Sequence, residues 1–219
     1  MHPLILAITG ASGAVYAVRL LEVLLASGRE VHLLISPSGK AVLKQELGLE
    51  INLEQFDPAP LLAAVRHRLL LPPLPLGEGR GEGLARTAPS GKLLYHAHDD
   101  FMAPPASGSF LTGGMVVCPC SGSTLSGIAH ASGSNLIQRA ADVHLKEHRR
   151  LILVPRETPL SIIQLDKMRR AAEAGAVILP AMPGWYHGVS SISDLVDFIV
   201  ARILDQLAIP HTLMKRWGS

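Results

Sequence analysis

The segment Leu4–Ala14 places the strongest constraint on the fold of this chain. It begins as an uncharged apolar run, breaks at a glycine-containing turn, Thr9–Gly13, and then continues with apolar residues at helical spacing. This pattern predicts a buried strand, a tight turn and a helix. The two glycines of the turn allow the backbone to bend sharply and allow a ligand to approach it closely.

The same turn is a candidate anion site. The hydroxyl groups of Thr9 and Ser12 lie beside the first N–H groups of the predicted helix, which have no partner within the helix. Such a helix start suits a phosphate group. The glycine spacing is not GxGxxG, however, and the turn lacks the lysine of a P-loop. A phosphate site and a purely structural strand–helix turn therefore both stay open at this point.

Composition indicates one domain with a large apolar core. The chain has 219 residues, of which 48% are hydrophobic and 17% charged, and its net charge of +2 gives no argument for nucleic acid or an anionic membrane. No apolar run reaches the roughly 18 residues of a membrane span, and no export signal is visible, so we expect a cytoplasmic protein. Cys118 and Cys120 are predicted to be buried free thiols in a reducing compartment.

Strands and helices alternate along the chain. Further strands are predicted at Glu30–Ser36, Gly114–Cys120, Leu151–Pro155 and Ala176–Pro180, with a short one within Leu93–Asp100. After the first helix, further helices are predicted at Lys40–Leu47, Leu61–His67, Leu125–Ala131, Asn135–Glu147, Leu160–Ala174 and Ile192–Leu207. This alternation predicts a three-layer α/β/α fold with a doubly wound parallel sheet, Rossmann-like or flavodoxin-like.

One segment interrupts the alternation at about residues 69–92. Its first part, Leu69–Gly83, reads LLLPPLPLGEGRGEG, and its four glycines and three prolines oppose regular structure. We predict a low-complexity surface insertion. A Pro-rich segment that binds a partner is the alternative.

Polar residues follow four of the predicted strands. They are Thr9–Ser12, Ser36, Ser121–Thr124 and Arg156–Glu157. Ligands of parallel α/β sheets bind at the carboxyl ends of the strands, so these residues predict a site for a large phosphorylated ligand. His96 and His98 could share one face of a strand and bind a metal ion, but no third ligand is evident nearby except Asp99 or Asp100, and no metal site is predicted.

Several long motifs resemble the UbiX-type flavin prenyltransferases. They are TGASGA (9–14), CPCSGSTLSGIA (118–129), RAADVHLKEHRRLILVPRETPL (139–160), AGAVILPAMPGWYH (174–187) and LVDFIVARILDQLAI (195–209). The resemblance covers nearly the whole chain apart from about residues 57–95. It implies an FMN-binding homo-oligomer, a dodecamer, that needs no metal. The implied reaction joins a dimethylallyl group from dimethylallyl monophosphate to N5 and C6 of reduced FMN, and the product serves a UbiD-type decarboxylase.

The resemblance also implies the site residues. FMN is expected to contact Gly10, Ala11, Ser12, Ser36, Ser121, Gly122, Ser123, Thr124 and Arg139. The prenyl phosphate is expected to contact Lys146, Arg156, Glu157, Tyr186, Arg202 and Trp217, the last from a neighbouring subunit. The implied catalytic residues are Ser12, Glu46, Lys146 and Glu157. Among these, Glu46 is expected to bind the Ser12 hydroxyl and to handle a proton.

The implied chemistry agrees with the residue types. Breaking the bond from an allylic carbon to phosphate places negative charge on the phosphate, which Lys146, Arg156 and Arg202 can stabilise. Glu157 suits an anionic site only if a proton is shared, which favours a role as the acid for the leaving group. The chain departs from the usual family pattern at Gly188 and Val189, where Arg-Pro is common, and at Pro37, where lysine is common.

Two other functions stay open. An FMN-dependent cysteine-type decarboxylase has a related fold, but those enzymes depend on a histidine near the first helix, where this chain reads Gly13–Ala17 without one. A non-catalytic flavin-binding or delivery subunit is the second alternative. Such a subunit would need no second phosphate site, which the cationic residues of this chain predict.

Overall fold

The computed structural model describes residues 2–67, 91–214 and 216. Trp217 and nearly all of the predicted insertion at 69–92 lie outside the described residues. The bounds of the insertion therefore stay a prediction, and among the described residues Lys92 begins a strand that pairs with its neighbour from its first residue onward.

The strands of the described chain form one six-stranded sheet with the order β3-β2-β1-β4-β5-β6. Their bounds are β1 Leu4–Ile8, β2 Glu30–Ile35, β3 Lys92–His96, β4 Gly114–Cys120, β5 Leu151–Pro155 and β6 Val177–Ile178. Every neighbouring pair is parallel. This is the strand order of doubly wound nucleotide-binding sheets, so the predicted fold class is confirmed.

Helices connect the strands. Their bounds are α1 Ala14–Ala26, α2 Pro37–Leu47, α3 Ala59–His67, α4 Gly122–Ala129, α5 Leu136–Lys146, α6 Ile162–Glu173 and α7 Ile192–Gln206, with a 3₁₀ turn at Pro104–Ala106. Helix α2 begins three residues before the predicted Lys40. The Ser36 hydroxyl accepts a hydrogen bond from Gly39 N and caps the helix, and proline is favoured at the first helical position.

The core lies on both faces of the sheet, because successive strand side chains point to opposite sides. In β1, Leu6 and Ile8 join the apolar cluster that also contains residues of α1 and α7. Ile5 and Ala7 join the second cluster, with residues of α4 and α5. Both sheet faces are therefore covered, as the uninterrupted apolar strands predict.

The strand order reverses at β1, which lies between β2 and β4. The chain leaves β1 for β2 on one side and leaves β4 for β5 on the other. Connections that depart in opposite directions leave a crevice at the carboxyl ends of the strands, where doubly wound sheets bind ligands. The turns after β1 and β4 border this crevice.

Candidate functional site

The turn after β1 is joined to the turn after β4 by Thr9, whose side chain is fully buried. Its hydroxyl donates to Pro119 O at 2.7 Å and accepts from Ser121 N at 2.8 Å. The sequence interpretation that Thr9 offers a hydroxyl to a ligand is therefore wrong. Thr9 instead fixes the two edges of the crevice relative to each other.

The N-terminus of α1 already holds an anion, the Glu46 carboxylate. Glu46 accepts from Gly13 N at 3.0 Å and from Ala14 N at 2.9 Å. A carboxylate at this position satisfies the free N–H groups and the positive end of the helix dipole. The expected bond from Glu46 to the Ser12 hydroxyl is not formed within the described chain, where Ser12 is exposed. A phosphate is therefore better placed at the other helix starts around the crevice.

Helix α2 begins in close contact with β1 and its turn. A Cβ atom at Gly10 would collide with Ser38 Cβ, and one at Gly39 would collide with the carbonyl oxygen of Ile8. Glycine at both positions lets the first turn of α2 approach the turn that follows β1. The N-terminus of α2, with Ser36 as its cap, thus lies at the crevice.

A cluster of hydroxyl groups follows β4. Ser121 caps α4, and its Oγ lies 3.1 Å from Ser123 Oγ and 3.0 Å from Thr124 Oγ1. The N–H groups of Gly122 and Ser123 belong to the first turn of α4, where no intrahelical partner exists. The predicted cofactor residues after β1, β2 and β4 are thereby brought to one place.

Arg139 lies in the first half of α5, and its side chain is 37% exposed. Its Nε donates to Ala106 O at 3.1 Å, and its Nη1 donates to Asp142 Oδ2 at 3.0 Å. Arg139 and Asp142 therefore form an ion pair one turn apart on α5. A guanidinium group has five N–H donors, so these two bonds leave others for a ligand.

Arg156 and Glu157 follow β5 at the same edge of the sheet, and both are exposed. No ion pair or hydrogen bond joins their side chains to each other or to other described residues. Arg156 and Glu157 therefore do not form an ion pair with each other in the described chain. The two charges lie next to each other with their functional groups available to a ligand.

The loop after β6 carries Tyr186 to this edge. Ala181 N donates to Pro155 O at 3.0 Å, which places the start of the loop beside the end of β5. The Tyr186 side chain is among the large exposed ones, at 56%. Of the predicted substrate residues, Arg156 and Glu157 therefore follow β5, and Tyr186 lies in the loop that follows the adjacent strand β6.

Lys146 and Arg202 lie toward the opposite end of the sheet. Lys146 ends α5, four residues before Arg150, whose carbonyl oxygen accepts from Met115 N at the start of β4. Arg202 lies in the second half of α7, whose C-terminus reaches Gly114 through Leu207. Each cation meets an acid of its own chain, Lys146 with Glu147 at 3.2 Å and Arg202 with Asp205 at 2.8 Å. One chain alone does not bring these cations to Arg156.

Sequence reasoning missed the contribution of the first turn of α2. Ser38 and Gly39 lie against Gly10 and Ile8, although the sequence predicts the start of the helix only at Lys40. The available signal was the order serine, proline and then glycine, which matches a capped helix start. A cavity of about 900 Å³ is lined in part by Pro37, Lys40 and Lys44 of α2, and none of the predicted site residues lines it.

Other candidate groups are used inside the fold. His96 Nε2 lies 2.8 Å from His32 Nδ1, and no group of three or more potential metal ligands occurs in the described part of the chain. Cys118 and Cys120 are buried, and burial raises the pKa of the Cys120 thiol to about 12. Such thiols are not nucleophilic near neutral pH. Within the residues described, no helix is long and apolar enough to cross a bilayer.

Comparison with known proteins supports the resemblance. The Flavoprotein family model matches residues 1–204. Flavin prenyltransferase UbiX from Pseudomonas aeruginosa is 47% identical over 214 residues, which cover 98% of this chain and 93% of that protein.

Two solved structures are similar over nearly their full length. AnUbiX (PadA1), crystallised with FMN and dimethylallyl pyrophosphate, has 35% identity and a TM-score of 0.79, covering 100% of this chain and 98% of that chain. A dodecameric FMN-dependent Ubix-like decarboxylase from Escherichia coli O157:H7 has 35% identity and a TM-score of 0.78, covering 99% and 100%. Since the motifs, the fold and the full-length similarity agree, this chain belongs to the UbiX-type flavin prenyltransferase family of flavoproteins.

Proposed function

We propose that this protein is a flavin prenyltransferase that joins a dimethylallyl group from dimethylallyl monophosphate to reduced FMN. Its relatives at high identity carry that name, and AnUbiX binds FMN together with a dimethylallyl pyrophosphate. The observation that carries the proposal is that a candidate flavin-phosphate site and a candidate prenyl-phosphate site lie at the same edge of the sheet. Hydroxyl-capped helix starts lie at the same sheet edge as the exposed Arg156 and Glu157.

The residues at the crevice fit FMN. The first turns of α2 and α4 offer unpaired N–H groups and the positive ends of two helix dipoles to the flavin phosphate. The hydroxyl groups of Ser123 and Thr124 can form hydrogen bonds with polar atoms of the cofactor. Because Gly10 has no side chain, the turn after β1 can pack closely against the first turn of α2. Arg139 can add N–H donors because only part of its guanidinium group is engaged.

A second anion fits beside the flavin. The guanidinium group of Arg156 can bind two oxygens of the prenyl phosphate, and Tyr186 can donate one more hydrogen bond. As the carbon–oxygen bond breaks, its electron pair goes to the phosphate, where Arg156 stabilises the charge and Glu157 supplies a proton. When bound in its reduced form, FMN supplies N5 and C6 as the accepting atoms.

A homo-oligomer would complete the site. Lys146 and Arg202 lie at the opposite end of their own sheet, so we propose that they serve the site of another copy, as Trp217 is also proposed to do. Large apolar side chains exposed in the described chain suit such contacts. They include Met102, Ile162, Ile163, Met182, Trp185 and Ile192. The Escherichia coli relative is a dodecamer, and we propose the same assembly here.

The proposed reaction is tested on the flavin itself. The purified protein is incubated without oxygen with reduced FMN and dimethylallyl monophosphate, and the flavin is released and analysed by mass spectrometry. We expect a flavin that has gained one dimethylallyl unit, and none when the donor is omitted. Unchanged FMN in both samples would refute the proposal.

The same flavin extract tests the proposed client. We propose that the product activates a UbiD-type decarboxylase, so the extract should restore activity to such an enzyme prepared without its cofactor. Decarboxylation of a peptidyl cysteine is the competing function. Enzymes of that kind depend on a histidine near the first helix, and the stretch Ala14–Ala17 at the start of α1 contains none. Release of carbon dioxide from a cysteine-terminated peptide by this protein would favour the competing function.

A further inference from the structure

The ring of His187 has one nitrogen that forms a hydrogen bond and one that does not. Its Nε2 lies 3.2 Å from the carbonyl oxygen of Asp194, which can only accept, so Nε2 carries the hydrogen. Its Nδ1 is buried and has no hydrogen-bond partner among the described residues. Buried polar atoms without a partner are rare, and each one requires a reason.

The packing around the His187 ring explains why Nδ1 is buried without a hydrogen bond. His187 stacks on Phe198 with the ring centroids 5.2 Å apart and an angle of 24° between the planes. Tyr186 packs edge-on against both rings, at 5.8 Å and 85° from Phe198 and at 6.1 Å and 83° from His187. A Cβ on Gly184 would lie 2.9 Å from Tyr186 Cε1 and 3.0 Å from Phe198 Cζ, so the two aromatic rings pack closely against the backbone of Gly184.

The start of α7 anchors this aromatic group. The Asp194 carboxylate accepts from Ser190 N and Ser191 N, both at 2.8 Å, while the Asp194 carbonyl accepts from His187. Ser191 also caps the helix. The segment between Tyr186 and α7 is therefore bound to the helix at several points, and His187 is the contact nearest to the tyrosine.

We propose that His187 is a positioning residue that fixes the Tyr186 ring at the carboxyl end of the sheet, where Tyr186 meets the prenyl phosphate. The stack on Phe198 and the hydrogen bond to Asp194 O fix the plane of the His187 ring. In that orientation Nδ1 is buried without a hydrogen-bond partner. The proposal rests on the proposed prenyltransferase function, because that function gives Tyr186 its ligand.

The test compares His187→Ala, which removes the ring, with His187→Phe, which keeps the stack and removes both nitrogens. Crystal structures of the two variants show whether the Tyr186 ring moves. Calorimetric titration of the FMN-loaded protein with dimethylallyl monophosphate measures the dissociation constant. His130→Ala serves as the control, since His130 is an exposed residue at the end of α4.

We expect a displaced Tyr186 ring in His187→Ala and a dissociation constant raised roughly three- to tenfold, as when aromatic contacts that orient a binding group are lost. His187→Phe should keep the ring in place and bind almost as the wild type does. In a Tyr186→Ala background, His187→Ala should have no further effect on binding. FMN affinity should be unchanged throughout.

An unmoved Tyr186 ring in His187→Ala, or effects that add in the double variant, would overturn the proposal. A lower melting temperature with unchanged binding would also overturn it, because it would show a structural role alone. Failure of the prenyltransferase function itself is distinct. It would appear as wild-type protein that forms no prenylated flavin, whereas the position of the Tyr186 ring is read without any reaction.

Discussion

The hydroxyl of Thr9 accepts a hydrogen bond of 2.8 Å from the backbone N–H of Ser121, a residue 112 positions away in the chain. The same hydroxyl donates to Pro119 O. One buried side chain thus joins the turns after β1 and β4, which form two walls of the proposed flavin site. The backbone adds a further bond between the same two turns, from Thr9 N to Pro119 O at 3.3 Å.

We predict that Thr9→Val lowers the free energy of unfolding by about 1–3 kcal/mol, because it leaves the half-buried Ser121 N–H without its acceptor and Pro119 O without its hydroxyl donor. FMN binding should weaken as well, since the α4 turn loses its support. Urea denaturation and fluorescence titration with FMN measure the two effects. Thr9→Ser keeps the hydroxyl and is the control; equal losses in both variants would show that the methyl group, not the bond, matters.

A second contact joins α1 to α7. Arg19 is fully buried and forms a two-pronged ion pair with Asp197, with distances of 2.7 and 3.1 Å. Arg19 also contacts Glu22 at 2.6 Å, so Asp197→Ala leaves the buried guanidinium group with one of its two acids. The variant should destabilise the protein by about 1.5–3 kcal/mol, the range for the loss of a hydrogen bond to a charged group. Asp166→Ala, in the exposed ion pairs of α6, is the matched control and should leave the unfolding midpoint nearly unchanged. A similar midpoint for both variants would contradict the prediction.

The buried His144 predicts a loss of stability in acid. Burial lowers the pKa of His144 from its ordinary value of 6.5, and the nearby Arg149 acts in the same direction, against the bond to Ala140 O. The unfolded chain therefore binds a proton more readily than the folded protein. Above about pH 6.5, His144 is neutral in both states and does not reduce the free energy of unfolding. As the pH drops below this value, the unfolded chain takes up the proton first, and the free energy of unfolding should fall.

Urea denaturation between pH 5 and 7.5 measures this dependence. His144→Gln should be less stable at pH 7.5, since it loses the bond between Nε2 and Thr112 Oγ1, but its free energy of unfolding should fall less on acidification. His130→Gln is the exposed control and should follow the wild type. An unchanged slope in His144→Gln would assign the acid sensitivity to other groups, of which the half-buried His96 is the first candidate, since burial also lowers its pKa.

The fold was predictable where the sequence signal is local. Apolar runs identify the strands, and the short β3 next to the insertion is present as predicted. The start of α2 was missed because Pro37 and Gly39 suggest a break in structure. Gly39 is in fact required by the carbonyl oxygen of Ile8, a contact that no local pattern displays.

The sequence predicted which segments follow the strands at the candidate site, but it did not predict which groups those residues contact. The roles of Thr9 and Glu46 depend on partners 110 and 33 residues distant, so the turn alone suggested a ligand where the protein supplies its own groups. The position of Lys146 depends on the direction in which α5 crosses the sheet. A residue shared between copies of a chain leaves no mark in one sequence beyond the resemblance.

Arg139 should contribute directly to flavin binding. We predict that Arg139→Ala weakens FMN binding by about 1.5–3 kcal/mol, the range for a hydrogen bond to a charged group. Titration of the apoprotein, followed by flavin fluorescence, measures the change. Arg169→Ala, on the exposed face of α6, is the control. An unchanged affinity in Arg139→Ala would remove Arg139 from the flavin site and leave it as the partner of Asp142 and Ala106.

Glu157 should act in the reaction and not in flavin binding. It is exposed at the end of β5 beside Arg156, in a region that is otherwise basic and rich in hydroxyl groups. A carboxylate there would repel a bound phosphate dianion, so a proton shared between them is favourable. As the carbon–oxygen bond breaks, that proton passes to the phosphate. Glutamine keeps the size and can donate a hydrogen bond, but it has no proton to transfer.

We therefore predict that Glu157→Gln binds FMN normally but transfers the prenyl group at least about tenfold more slowly, equivalent to about 1.4 kcal/mol in the barrier. Single-turnover formation of the prenylated flavin, followed by absorbance across a range of pH, is the measurement. Glu157→Asp is the control, because it keeps an acid on a shorter side chain and should recover part of the rate. If Glu157→Gln reacts at the wild-type rate with the same pH profile, the acid role is wrong, and Glu157 serves only to orient Arg156.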